Sequence, residues 1–151
     1  MINAESMNTR LRHLRSRIER LQTLKSISRE TFFADMDARD AVERNFQIAV
    51  ECCLDIAKHI IVARSLQRPD ELREVFHVLA QAKLLPEDLA QTMKDFSGMR
   101  NLLVHHYMTV DPEKMYTYLQ NDIPLLERFA LVTAAFIEHE TALRNTPANN
   151  E

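Results

Sequence analysis

Apolar residues recur every three or four positions along most of this chain, which is the spacing of one buried face on an α-helix. Such a stripe runs through about residues 4–26, and a longer one runs through about residues 33–65. The same spacing continues through about residues 69–84, 86–107 and 112–144. The pattern therefore predicts an all-α protein of about five helices.

Prolines and acidic residues mark where several of these helices begin. Pro69 and Pro86 are each followed by two acidic residues, a composition that helix N-termini favour. Asp111-Pro112 supplies a cap and a first helical residue for the last helix. Pro124 predicts a kink or a short break near residues 121–122. Short links between long amphipathic helices favour an antiparallel up-and-down bundle.

Composition narrows the range of folds further. The chain has 151 residues, of which 46% are hydrophobic and a single one is glycine. Two-residue hairpin turns need positive φ angles, and phosphate-binding loops need several glycines, so neither is expected here. The length fits one helical domain over residues 1–151, which ends in a polar tail from about 145 to 151.

Charge is distributed unevenly, although the formal net charge is only −3 at pH 7. The predicted N-terminal helix is basic, and its cations surround the apolar stripe instead of gathering on one face. They form either a solvated helix exterior or a surface that attracts nucleic-acid phosphates. The basic residues among the first thirty are Arg10, Arg12, Arg15, Arg17, Arg20, Lys25 and Arg29.

The sequence favours a reducing, cytoplasmic environment. Cys52 and Cys53 are neighbours in a helical stretch, so they point about 100° apart and cannot easily form a disulfide. No CxxC or HExxH spacing occurs, and we expect neither a metal site nor a cofactor. The longest apolar run, residues 129–137, is too short for a membrane span, and the N-terminus shows no signal-peptide pattern.

The only glycine precedes the densest group of chemically able side chains. Gly98 is followed by Arg100, Asn101, His105 and Tyr107. Glycine in a helix interior costs about 1 kcal/mol relative to alanine. Its use here therefore predicts a close approach to the helix surface, either by another backbone or by a substrate.

These side chains suit phosphate chemistry. The guanidinium of Arg100 is a planar fork for phosphate oxygens, and Asn101 lies one turn before His105, where its amide would hold one imidazole tautomer. An unperturbed imidazole titrates near pH 6.5. An imidazole base that activates a ribose 2′-hydroxyl for attack on the adjacent phosphate would cleave RNA without a metal, and DNA would resist.

The geometry of an ideal helix raises a difficulty, because Arg100 and His105 stand about 140° apart on it. They serve one substrate only if the helix unwinds near His105 or if a second copy of the chain supplies part of the site. Spacing alone also permits a plainer interpretation, in which both side chains cap carbonyls at the helix end or form surface pairs.

The motif and its surroundings resemble a known family. Residues 98–107, which read G-x-R-N-x3-H-x-Y and are followed by Asp111, are similar to the R-x4-H-x-Y motif of the HepT toxins in the HEPN superfamily. Residues 39–49 and 55–61 resemble the second helix of that family, and the likeness covers about residues 18–137.

The resemblance implies a HEPN-like, homodimeric, metal-independent RNA endonuclease that acts as the toxin of a type VII-like toxin–antitoxin pair. Arg100 and His105 would be the catalytic pair, with Asn101 at the polar position after the arginine. Tyr107 matches the tyrosine that a nucleotidyltransferase antitoxin modifies with adenylate groups. The resemblance assigns no role to His106, and it does not say whether messenger or transfer RNA is cut.

Two other interpretations stay open on the sequence. In the first, the chain is a non-catalytic HEPN-type subunit that binds substrate for a nucleotidyltransferase, although such relatives generally lack the arginine–histidine motif. In the second, the chain is a helical dimer used purely for assembly, and changes in the motif would affect neither toxicity nor RNA.

Overall fold

A computed structural model describes residues 3–147, and the end of the predicted tail, residues 148–151, lies outside them. Within this range the chain is all-α, as predicted, with seven α-helices instead of about five. Two short 3₁₀ turns occur at Leu72–Glu74 and Tyr107–Thr109. The helices are α1 Ala4–Leu24, α2 Arg29–Ala34, α3 Met36–Ala63, α4 Val75–Gln81, α5 Glu87–His105, α6 Pro112–Asn121 and α7 Ile123–Asn145.

The extra helices arise from two breaks, of which the sequence predicted one. Asp35 is extended (φ −108°, ψ 108°), so it ends α2, and its Oδ1 accepts the N–H of Asp37 at 2.9 Å to cap α3. The prediction of a single helix that begins at about residue 33 was therefore wrong at its start. The break predicted near residues 121–122 is confirmed at Asp122, between α6 and α7.

The helix predicted from Pro69 begins later than expected. Glu71 is still extended (φ −109°, ψ 135°), and the 3₁₀ turn that follows leads into α4 only at Val75. The proline and the two acids after it therefore lie in the connection and not at a helix N-terminus. The composition of the sequence correctly predicted a helix in this region but not its first residue.

Two helix ends use a left-handed residue that is not glycine. Lys83, two residues after α4, has φ 63°, and the N–H of Leu84 bonds to the carbonyl of Leu79 at 2.9 Å. Ser65 has φ 53° just after α3. Both ends have the geometry of a Schellman cap, in which glycine is the usual residue. This explains why α4 stops before the predicted residue 84.

Contacts between side chains give the direction of α1 relative to α3. Arg17 in the second half of α1 donates to Asn45 Oδ1 near the start of α3, at 3.2 Å. Arg10 near the start of α1 lies close to Cys52 and His59 in the second half of α3. The two helices are therefore antiparallel.

Similar contacts orient the remaining long helices. At the start of α5, Asp88 pairs with Arg128 near the start of α7 at 2.8 Å, and farther along α5 Asp95 lies close to Tyr118 of α6. Helix α5 therefore runs against the α6–α7 unit. Gln22 at the end of α1 bonds to Glu127 of α7, which sets these two helices antiparallel as well. The result is the predicted up-and-down bundle.

The apolar core fixes the helix that carries the motif. Phe96 of α5 and Phe46 of α3 are fully buried, and both meet the ring of Tyr118 edge-on, with ring centroids 5.8 and 6.3 Å apart. These contacts join α3, α5 and α6 just before the glycine. The buried apolar residues form one cluster. That residues 1–151 form a single domain stays a prediction.

Candidate active site

The motif occupies the last turns of α5. The helix continues through Arg100 and Asn101 and ends at His105, and His106 is the first residue with non-helical angles (φ −136°, ψ 43°). The N–H of His106 still bonds to the carbonyl of Leu102 at 2.9 Å. The helix therefore does not unwind before His105, and the angle of about 140° between Arg100 and His105 persists. Within one copy, Arg100 and His105 therefore stand on different sides of α5.

Gly98 leaves the backbone of α5 open. A methyl group added there would meet no atom within 4 Å, so no other backbone in residues 3–147 makes the predicted close approach. Gly98, Asn101 and His105 are spaced i, i+3 and i+7, which places them on one exposed face of the helix. Leu102 beside them is 42% exposed. This face is available to a molecule outside the described chain.

The guanidinium of Arg100 is anchored by two neighbours. Its Nε–H donates to Oε1 of Glu51 in α3 at 3.2 Å, and its Nη1 donates to Oδ1 of Asn101 at 3.1 Å. The side chain is 22% exposed, so it is held close to the bundle surface and is not extended into solvent. Two of the five guanidinium N–H donors are used in this way, and the other three have no partner among the side chains that the structure describes.

Asn101 does not act as the sequence suggested. Its amide oxygen accepts from Arg100, whereas we expected the amide to hold the imidazole of His105. Both Asn101 and His105 are exposed. The structure therefore assigns Asn101 to the arginine half of the motif, where it helps to orient the guanidinium.

The contact between Glu51 and Arg100 was not predicted from the sequence. The Oε1 of Glu51 also accepts from Nε2 of Gln47 at 3.2 Å, so a polar chain runs from Gln47 through Glu51 to Arg100 and Asn101. Gln47 and Glu51 are four residues apart on the polar face of α3, which the sequence does show. What the sequence lacks is the information that α5 lies against that face.

A groove of about 630 Å³ lies beside the motif, between α5 and the α6 region. Gly98 and Leu102 line it, whereas Arg100 and His105 do not. Burial, together with the nearby Asp122 and Asp95, raises the pKa of the Tyr118 phenol in this groove, and burial raises the pKa of Asp122. The groove is therefore a partly buried surface that borders the open face of α5 at Gly98 and Leu102.

The residues after His105 connect α5 to α6. The backbone of Tyr107 begins the 3₁₀ turn, and its side chain lies outside the described side chains, so its predicted modification stays a prediction. Asp111 caps α6 as predicted, because its Oδ1 accepts the N–H of Glu113 at 2.9 Å and Pro112 is the first helical residue.

Between residues 3 and 147, no three histidine, cysteine, aspartate or glutamate side chains gather as metal ligands would. In the same range, no helix combines the length and apolar character that a bilayer crossing requires.

This all-α bundle, which presents an arginine, an amide and a histidine at the end of one helix, is similar in fold to HEPN proteins of known structure. A family model described as "Ribonuclease HepT-like" matches residues 14–132, which is most of the chain. This chain therefore belongs to the HepT-like ribonuclease family. The resemblance noted from the motif and the predicted enzyme class, a ribonuclease, are both confirmed.

Individual relatives agree with this assignment. The mRNA nuclease HepT of Shewanella oneidensis is 33% identical over 104 residues, which cover 69% of this chain and 78% of the relative. The tRNA nuclease HepT of Aphanizomenon flos-aquae is 27% identical over 118 residues, covering 77% and 80%. A solved structure of the tri-AMPylated S. oneidensis HEPN toxin in complex with its MNT antitoxin superposes with a TM-score of 0.81. It is 28% identical, and the match covers 89% of this chain and 99% of that one.

Proposed function

We propose that this protein is the toxin of a type VII-like toxin–antitoxin pair and acts in the cytoplasm as a metal-independent RNA endonuclease. The observation that carries the proposal is the complete R-N-x3-H-x-Y motif at the exposed end of α5 in a chain of the HepT-like family. Arg100 and His105 are the catalytic residues of this proposal, and Asn101 supports the arginine.

In this proposal the active form is a homodimer, and both copies contribute motif side chains to one cleft. Arg100 lies against α3, whereas His105 lies on the open face of α5 with Gly98, so one copy directs the two groups to different sides. A second copy placed against the open face would bring its own Arg100 to the first copy's His105. The missing side chain at Gly98 would allow the close approach that such a cleft needs.

The chemistry then follows from the two groups. The imidazole of one His105 takes the proton from a ribose 2′-hydroxyl, and that oxygen attacks the adjacent phosphorus. The free N–H donors of Arg100 stabilise the extra negative charge on the phosphate oxygens. The bond from phosphorus to the 5′-oxygen breaks, and the second imidazole protonates the departing oxygen. The products are a 2′,3′-cyclic phosphate and a 5′-hydroxyl.

A nucleotidyltransferase antitoxin is the proposed partner. The relative with the superposable structure is described as tri-AMPylated and in complex with an MNT antitoxin. Tyr107 stands two residues after His105, so adenylate groups on its phenol would place bulk and negative charge beside the motif. An RNA phosphate would then be repelled from the cleft.

The proposal is tested by comparing matched substrates. The purified protein should cleave an RNA in the presence of a metal chelator, and it should leave intact the same RNA with a 2′-deoxy nucleotide at the cleaved position. Mass analysis of the fragments should find the cyclic phosphate. Cleavage that survives the 2′-deoxy replacement, or that stops on chelation, would contradict the mechanism.

Glu51 is a positioning residue in this proposal. Replacing Glu51 by alanine removes the acceptor for Nε of Arg100, so the guanidinium gains freedom and kcat should fall by about 10- to 100-fold. Replacing Glu51 by glutamine keeps an oxygen acceptor and should recover most of kcat. Single-turnover cleavage rates measure both effects.

The control is Asp55→Ala, which removes an exposed carboxylate one turn farther along the same face of α3. Its kcat should equal that of the unchanged protein. A Glu51→Ala variant that cleaves as fast as the unchanged protein would remove Glu51 from the active site.

A further inference from the structure

The cations of α1 differ from most others in the protein in having no carboxylate partner. Elsewhere, Arg64 pairs with Glu140 and Arg128 pairs with Asp88. Across residues 3–147, by contrast, no carboxylate oxygen lies within 4 Å of any basic group of α1 or of its C-cap. These groups are Arg10, Arg12, Arg15, Arg17, Arg20 and the C-cap Lys25. The charge of the exposed members of this set, Arg12, Arg15, Arg20 and Lys25, is therefore available to a ligand.

A polar groove of about 530 Å³ follows the edge of α1 that faces α3. Arg17 and Arg20 line it together with the hydroxyl residues Ser16 and Thr23 and one carboxylate, Glu19. Apolar side chains are missing from the lining that the structure describes. Because the core of a protein–protein interface is usually apolar, this lining favours a polyanion over an acidic protein as the occupant.

The floor of the groove holds one arginine in place. Asn45 of α3 is buried, its Nδ2 donates to the carbonyl of Ala41 at 2.7 Å, and its Oδ1 accepts from Arg17 at 3.2 Å. Arg17 is thus oriented by a fixed amide, whereas Arg20 is exposed one turn away. The groove therefore presents one cation that is hydrogen-bonded to α3 and one exposed cation.

A third arginine, on α3, is adjacent in the chain to Asn45 of the groove and shares a helix face with Glu51 of the candidate active site. Arg44 is exposed next to Asn45, and Arg44 and Glu51 are seven residues apart on the same face of α3, about 10 Å along the helix axis. Glu51 in turn holds Arg100. We call Arg17, Arg20 and Arg44 the arginine track.

Acidic residues near Arg44 limit the path that a bound polyanion can take along the arginine track. The first turns of α3 are acidic, with Asp37 and Asp40 exposed and Glu43 half-buried beside them. Burial and the charge of Asp40 raise the pKa of Glu43 against the opposing effect of Arg39. A polyanion leaving Arg100 would avoid this end of α3 and pass from Arg44 to the groove on α1.

We propose that the arginine track binds the phosphate backbone of the RNA strand outside the cleaved linkage, on the side of the bundle formed by α1 and α3. The inference rests on the proposed function and extends it, because it names a binding surface separate from Arg100 and His105. The contacts are to phosphates, so the track adds affinity and salt dependence without reading base sequence.

The test uses the double variant Arg20→Gln/Arg44→Gln and measures the affinity for a single-stranded RNA at several salt concentrations. All proteins carry His105→Ala as well, so that the RNA stays intact during the measurement. Losing two phosphate contacts should lower the slope of log Kd against log salt by about 1.4 and weaken binding roughly 10- to 30-fold at 0.1 M salt.

The matched control is Arg12→Gln/Arg15→Gln, which removes the same charge from the same helix. These two arginines are exposed, and Arg15 lines a different groove, beside Glu127 of α7. The control should keep both the affinity and the slope. Thermal unfolding of both double variants checks that each is folded.

Other outcomes would overturn the inference. Equal losses in the two double variants would mean that only net charge matters, and unchanged RNA binding would remove the track. Loss of the nucleotidyltransferase complex with intact RNA affinity would make this surface a protein interface instead. A protein that binds RNA through the track but never cleaves it would contradict the proposed function alone.

Discussion

Replacing either Arg100 or His105 by alanine should lower the rate of RNA cleavage by about 10²- to 10⁴-fold, because each change removes a group that acts only in the transition state. Arg100→Lys should also be strongly impaired, since an ammonium lacks the planar fork that Glu51 and Asn101 orient. The measurement is single-turnover cleavage of a labelled RNA by the purified protein, with toxicity in cells as a second readout.

The matched control for the histidine is its neighbour. His106 is also exposed but lies just beyond the end of α5, so His106→Ala should keep the cleavage rate. The control for the arginine is Arg144→Ala, an exposed arginine near the end of α7. Equal rates for the motif variants and their controls would place the chemistry elsewhere in the chain.

Mixing the two inactive variants tests the shared cleft. In a mixed dimer, the Arg100→Ala subunit still supplies His105, and the His105→Ala subunit still supplies Arg100. One complete pair then faces the RNA, so the mixture should regain part of the activity that neither variant has alone. A mixture as inactive as its components would show that each site is built within one copy.

Replacing Tyr107 by phenylalanine should leave cleavage intact and abolish neutralisation by the antitoxin. The change removes one phenolic oxygen, which is the acceptor for adenylate groups in the proposed regulation, and leaves the ring. Mass spectrometry after incubation with ATP and the nucleotidyltransferase should find adenylate groups on the unchanged protein and none on the variant. Cells that carry the variant and the antitoxin should stop growing.

Tyr116→Phe provides the control for the loss of a hydroxyl. Tyr116 packs against Phe32 and lies below the guanidinium of Arg29, away from the motif in sequence. This variant should remain fully modified and neutralised. A Tyr107→Phe protein that is still adenylated and silenced would mean that another residue is the modification site.

Several features of this protein follow from local sequence alone. The apolar spacing determines the helical fold, because each stripe needs a partner surface to bury it. The side-chain cap of Asp111 sets the start of α6, and Pro124 in the first turn of α7 accounts for the break at Asp122. The residue types and spacing of the motif also identify the family, since Gly98 to His105 lie on one continuous helix and Tyr107 follows in the next turn.

Other features depend on which helices become neighbours, and no local pattern encodes that. Glu51 contacts Arg100 only because α3 packs beside α5, and Arg17 bonds to Asn45, the chain neighbour of Arg44, only because α1 runs antiparallel to α3. The sequence showed basic residues all around α1, whereas the packing of α3 and α7 placed Arg15 in one groove and Arg17 and Arg20 in another. Sequence thus determined the helices and the chemical groups, and tertiary packing decided which groups act together, because those contacts join residues far apart in the chain.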